Sequence, residues 1–209
     1  VFRLEDYVSS QTMGKDAASV LREAIEARLN ILVVGGTGSG KTTLTNALLA
    51  EIANEDHRVL ILEDTRELRC SAEDCVALRT WKEGKSLRDL VRSTLRLRPD
   101  RILVGEVRGP EALDLLKAWN TGHPGGITTL HANSALGALE RLEQLVAEAS
   151  PRPAEGLVAQ GVDVVVFMAR EGGVRRVTET IRVSGFDMDG YAVSPLAAPH
   201  LSIISQGDN

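Results

Sequence analysis

Residues 35–42 read Gly-Gly-Thr-Gly-Ser-Gly-Lys-Thr, the spacing of a phosphate-binding loop. The apolar run Ile31-Leu32-Val33-Val34 stands directly before it and a helical pattern directly after it, which is the strand–loop–helix context the motif needs. Glycines permit positive φ and close backbone approach. Their N–H groups form a concavity for a β-phosphate, and the helix opening at Lys41 adds its positive end. Lys41 is placed to reach β/γ oxygens and the Thr42 hydroxyl to take a Mg²⁺ position. The predicted nucleotide ligands are Gly36, Thr37, Gly38, Ser39, Gly40, Lys41, Thr42 and Thr43, and the predicted cofactors are ATP or ADP with Mg²⁺. A glycine-rich turn without a ligand is the bland alternative, and the surrounding pattern disfavours it.

Hydrolysis needs in addition an acid for the metal and a group that orients water. Two acids follow buried-strand patterns. Glu63 comes directly after 59–62, within Glu63-Asp64-Thr65-Arg66-Glu67. Glu106 comes after Ile102-Leu103-Val104 and a glycine, the pattern of a Walker B strand. Ligands bind at such strand tips in open α/β sheets. Glu106 joins Thr42 as a metal candidate, and either glutamate fits the role of base. A helix cap or solvated turn is the structural alternative for the first acid group, and a surface glutamate for the second. His123 and His131 flank the apolar run 127–130. His131 is expected to bond a γ-phosphate or a carboxylate, and His123 lies in a glycine-rich loop able to move with nucleotide state. Arg96 and Arg108 flank the Glu106 strand and are candidates to neutralise γ-phosphate charge, within one subunit or across an interface, against surface ion pairing as the alternative.

The elements that must hold these residues follow from periodicity. Helices are predicted over 16–29, 42–53, 87–97, 110–119 and 136–149. The last has Leu136, Leu139, Leu142, Leu145, Val146 and Ala149 on its inward stripe. Apolar strands are predicted over 31–34, 59–62 and 102–104, with 127–130 as a fourth strand candidate, and strands alternating with helices imply a parallel sheet covered on both faces. After Pro151 and Pro153 the pattern changes. β-runs over 162–169 and 174–183 are joined by Gly172-Gly173, and Asp189-Gly190 marks another tight turn. The expected organisation is a linker and leading helix over 1–29, a nucleotide-binding core over 30–150, a β-rich extension of the same domain over 151–200 and a flexible polar tail over 201–209.

The 209 residues are 43% hydrophobic and 25% charged, the balance of a globular protein with a sizeable core. No run of eighteen apolar residues is present, so no membrane span is predicted. A net charge of −5 and only three Phe, two Trp and two Tyr argue against nucleic-acid binding through a basic face or a stacking platform. Cys70 and Cys75 are too few for a zinc site and are expected as free thiols.

Taken in order, GGTGSGKTT, ILEDTREL, LRLRPDRILVGEVRG and GHPGGITTLHANSALGALERLEQL resemble the secretion ATPases of type II and type IV systems, closest to the TrbB-type conjugal-transfer branch. The resemblance covers about 1–183. It implies a RecA-like P-loop domain with ATPase activity, assembled as a homo-hexamer on the cytoplasmic face of the inner membrane beside other secretion components, without base-specific nucleic-acid contact. It implies Glu63 as the acid-box glutamate, a proposed general base, Glu106 as the Walker B acid and His131 as the histidine-box residue. The chain begins at Val1, where the linker into the RecA-like domain is expected, so an N-terminal domain and its arginines are expected to lie outside it, with slow turnover as the consequence. The four-cysteine insertion or retraction helix often carried by the pilus and type II branches is not seen. A nucleotide-gated scaffold with little turnover is the alternative of another class.

Overall fold

The structure, a computed structural model, describes residues 2–53, 56–81 and 84–196. Its centre is one eight-stranded sheet in the order β3-β2-β4-β5-β1-β6-β7-β8. The strands are β1 (Ile31–Gly35), β2 (Val59–Glu63), β3 (Cys75–Arg79), β4 (Arg101–Val104), β5 (Ile127–Leu130), β6 (Val164–Glu171), β7 (Val174–Asp187) and β8 (Gly190–Pro195). From β3 to β6 every pairing is parallel, while β6–β7 and β7–β8 are antiparallel. The C-terminal hairpins therefore extend the sheet beyond β6, as the turn signals predict. The first has Gly172 and Gly173 at φ 56° and 85°, the pair of positive angles a tight two-residue hairpin turn needs.

The apolar runs are strands because both of their faces are buried. Along β1, Leu32 and Val34 pack into one core and Ile31 and Val33 into the other. The first core is closed by α4 (Leu87–Thr94), α5 (Glu111–Asn120), α6 (Ala135–Ala147) and α7 (Glu155–Gly161). The second is closed by α1 (Leu4–Ser9), α2 (Lys15–Glu26) and α3 (Lys41–Ile52). Complete burial of such runs drives the sheet and its covering helices together at roughly 1.5–3 kcal/mol per large aliphatic side chain.

Several boundaries differ from the sequence reading. The helix predicted over 16–29 stops at Glu26, because Arg28 turns to φ 56°. The helix predicted over 87–97 stops at Thr94, with Arg98 at φ 51° just before Pro99. α6 starts at Ala135 because the Ser134 hydroxyl accepts the Gly137 N–H. Leu136, placed on the inward stripe from sequence, is 44% exposed: it lies in the first turn, off the buried row through Leu139 and Leu142. Strand β3 and helices α1 and α7 were not anticipated. The first is a half-exposed edge strand, and the two helices have six and seven residues, too short for a periodic stripe. The tail expected over 201–209 lies outside the described residues.

Candidate active site

Because β1, β2, β4 and β5 run parallel, their C-terminal ends share one edge of the sheet. A cleft of about 380 Å³ opens there, lined by the loop over 37–43, by Glu63, Glu106, Arg108, Thr129 and His131, and by Asp64 and Glu67. Its volume lies within the range of small-molecule sites.

The phosphate loop bends through Gly38 and Gly40 at φ 71° and 101°, angles closed to most side chains. Gly40 leads directly into α3, so the first turn of that helix aims its free N–H groups into the cleft. Lys41 is 8% exposed and donates from Nζ to the Gly35 and Gly36 carbonyls at 2.9 and 3.0 Å. Burial pulls its pKa below the ordinary lysine value; Glu106 and Glu67 oppose that pull and Arg108 adds to it. Ser39 Oγ is buried with no partner, a donor already desolvated beside the loop. An unpaired buried hydroxyl is costly on its own, and a phosphate oxygen would satisfy it.

The two strand-tip acids differ. Glu63, 3% exposed, is the last residue of β2, and its Oε1 accepts the Glu67 and Leu68 backbone N–H groups at 2.9 and 2.7 Å. Glu106 stands two residues past β4. Its Oε2 accepts from Arg108 Nε at 2.6 Å, and its Oε1 lies 2.8 Å from His131 Nε2 without an aligned hydrogen bond. The same His131 nitrogen is 3.5 Å from Lys41 Nζ. Lys41, His131, Glu106 and Arg108 thus form one chain of polar contacts across the cleft. The segment is fixed from below: Thr129 Oγ1 donates to the Gly105 carbonyl, and buried Glu111, the first residue of α5, accepts the Arg108 and Gly109 N–H groups at 2.7 and 2.9 Å.

Of the candidates read from sequence, 36–43, Glu63, Glu106, Arg108 and His131 come together. Arg96 and His123 do not. Arg96 follows α4 and precedes β4, and His123 precedes β5 with Nδ1 3.2 Å from the Pro99 carbonyl. In a parallel sheet the residues before a strand sit at the opposite edge from those after it. That opposite edge is organised instead by Arg101, fully buried, which donates to the Gly125 and Ile25 carbonyls. Within one subunit, therefore, neither Arg96 nor His123 reaches the phosphate cleft, which corrects the expectation of an Arg96 acting on its own subunit's nucleotide.

Two residues in the cleft escaped the sequence reading. Arg175, from β7, lines it beside Gly40. Glu67 accepts the Thr42 hydroxyl at 3.0 Å. The signal for the second was Thr42 and Asn46, one helical turn apart on the same face of α3: Asn46 bonds the Glu67 carbonyl and the Arg69 N–H.

A phosphate loop after a central strand, with acids on the neighbouring parallel tips, defines a RecA-like P-loop fold. The family model for Type II/IV secretion system proteins matches residues 2–175, and the chain belongs to that family. It is 54% identical over 190 residues to the conjugal transfer protein TrbB of Rhizobium radiobacter, covering 90% of this chain and 58% of that one. It is 38% identical over 187 residues to the type IV secretion system protein VirB11 of Bartonella quintana, covering 84% and 52%. Among solved structures, the VirB11 ATPase of Brucella suis in complex with sulphate superposes with a TM-score of 0.74 at 35% identity over 85% of this chain and 54% of that one. The pilus retraction motor PilT with bound ADP gives 0.61 at 26% over 76% and 49%. The chain thus spans about half the length of these relatives, from 49% to 58%.

Proposed function

We propose that this chain is the nucleotide-hydrolysing motor domain of a conjugal-transfer machine of the type IV secretion class. The observation that carries the reading is the convergence of Lys41, Thr42, Glu106, His131 and Arg108 on one cleft at the tips of parallel strands. Lys41 gives up the Gly35 and Gly36 carbonyls for β/γ oxygens of ATP, while the loop N–H groups and Ser39 Oγ hold the phosphates. Mg²⁺ fits the donors present, the Thr42 hydroxyl and the Glu106 carboxylate, both hard oxygen ligands, and would neutralise charge on the phosphate oxygens. Glu106 stands at the cleft between Arg108 and His131, and it is the candidate to hold the metal or to orient the attacking water. Arg108, the more exposed member, is free to swing towards developing charge.

The similarity to TrbB and VirB11 proteins supports conjugal transfer as the process and a homo-hexamer, peripheral to the cytoplasmic face of the inner membrane and in contact with other secretion components, as the working form. No helix among the described residues is long and apolar enough to cross a membrane. The test is steady-state ATP hydrolysis with Mg²⁺ across a range of protein concentrations. Specific turnover that rises with concentration is expected for sites completed in a ring. Tight nucleotide binding with no turnover at any concentration would replace the motor by a nucleotide-gated scaffold.

A further inference from the structure

Two arginines, Arg108 and Arg175, line the phosphate cleft, and they are held differently. Arg108 is engaged by Glu106. Arg175 has neither a hydrogen bond nor an ion pair among the described residues. Its neighbours in the β6–β7 hairpin are engaged: Arg170 Nε donates to the Gly173 carbonyl at 3.1 Å, and Arg176 Nη1 to the Gln11 carbonyl at 2.7 Å.

Strand geometry sets where Arg175 stands. Val177, two residues on, is buried in the core closed by α1, α2 and α3. Alternate residues of a strand share a face, so Arg175 lies on the side where the phosphate loop runs into α3. Its stem rests against that loop: a Cβ at Gly40 would stand 3.2 Å from Arg175 Cδ. The backbone around it is fixed. Arg175 pairs with Arg170 in the antiparallel ladder, and the Val177 N–H donates to the Thr12 carbonyl at 2.9 Å. A guanidinium held beside a phosphate loop, with no carboxylate of its own, offers its planar fork to an oxyanion.

The strand order β4-β5-β1-β6-β7 decides which part of a nucleotide it meets. Glu106 and His131 follow β4 and β5, on one side of the loop after β1, whereas Arg175 comes from β7, on the other. In the reading above, the metal and the attacked γ-phosphate belong to the Glu106 side. The side away from it faces the α- and β-phosphates, which ATP and ADP share. We infer that Arg175 is a nucleotide-binding residue that grips the α/β-diphosphate from the hairpin side. The inference rests on the nucleotide-site reading above and brings the C-terminal β extension into the phosphate site. A contact to the shared phosphates favours ATP and ADP equally.

The experiment is binding of a fluorescent ADP analogue to the full chain with Mg²⁺, by anisotropy, and its displacement by ADP, a non-hydrolysable ATP analogue and inorganic pyrophosphate. K41A is the control for the site and R170A the control for hairpin charge. R175A is expected to weaken all three competitors about tenfold, the scale of one lost charged hydrogen bond. R175K is expected to recover part of that loss, since lysine brings charge without the fork. R170A is expected to stay within about twofold of wild type. R175A with unchanged ADP affinity would overturn the inference, as would an equal loss in R170A. A loss for the ATP analogue alone would move the contact to the γ-phosphate, and unchanged pyrophosphate displacement would move it to the base or ribose; either overturns the diphosphate assignment. Should R175A fail to fold, R175K and R175Q decide the matter. Wild type that binds no labelled ADP would instead overturn the nucleotide reading itself, and this inference with it.

Discussion

The tips of β2 and β4 look alike in sequence and differ in the folded chain. Both strands are buried along their whole length, and each leads to a glutamate. Glu63, however, is the final residue of its strand, and its carboxylate turns back to bond the following loop. Glu106 is set off from Val104 by Gly105, and that one extra step carries it clear of the sheet to meet His131 and Arg108. One carboxylate ties an oxygen to its own loop, while the other meets side chains across the cleft.

The strongest test of this contrast is hydrolysis. E106Q is expected to lower turnover by about 10²–10³ with nucleotide affinity nearly unchanged, the scale of losing a positioned catalytic group. E63Q is expected to cost less than tenfold, and an equal loss in the two would erase the distinction. Stability should divide the pair the other way. E63A strands two N–H groups, that of Leu68 in a buried setting, and is expected to cost about 2–3 kcal/mol in urea unfolding. E106A removes a partner from residues that face the cleft and is expected to change stability by less than about 0.5 kcal/mol. The two arginines extend the contrast to opposite ends of one strand: R108A is expected to reduce turnover about tenfold, and R96A, at the far edge, to leave it unchanged.

Much of this was legible beforehand because the signals were local. Gly38, Gly40, Lys41 and Thr42 act through a short loop whose shape the glycines dictate, and strands such as 31–34 are apolar because both faces are covered. Strand polarity was legible too, but only as a pattern, so residues before and after β4 and β5 were grouped together; the fold separates Arg96 from Arg108 and His123 from His131. Glu67 and Arg175 were missed because their roles depend on which side chains meet across the sheet edge, through Thr42 and Asn46 in one case and the β6–β7 hairpin in the other. Edge strand β3 has a short apolar run, 75–78, but it is only partly covered and ends on the exposed Arg79, with no helix pattern before it to mark it as part of the alternating core.

Asp114 supplies a third kind of carboxylate and the smallest effect. It sits on α5 behind β4 and receives Arg88 Nε at 2.6 Å and Arg92 Nε at 2.8 Å from α4. Burial alone would raise its pKa, but the bonds from Arg92 and Arg88 outweigh burial and hold it below the ordinary aspartate value. A depressed carboxylate contributes stability above its unfolded pKa of about 3.9, and that contribution fades as pH falls through the lower folded value. D114N is therefore expected to lower Tm by about 2–4 °C at neutral pH, a figure held down by solvent screening of the exposed arginines. The deficit should begin to narrow below about pH 4 and close only once pH falls past the lower folded value, where the wild-type carboxylate is itself protonated. Nucleotide affinity should not change, since Asp114 lies outside the cleft. A deficit that persisted unchanged at low pH would mean that Asp114 holds α4 and α5 together by shape rather than by charge.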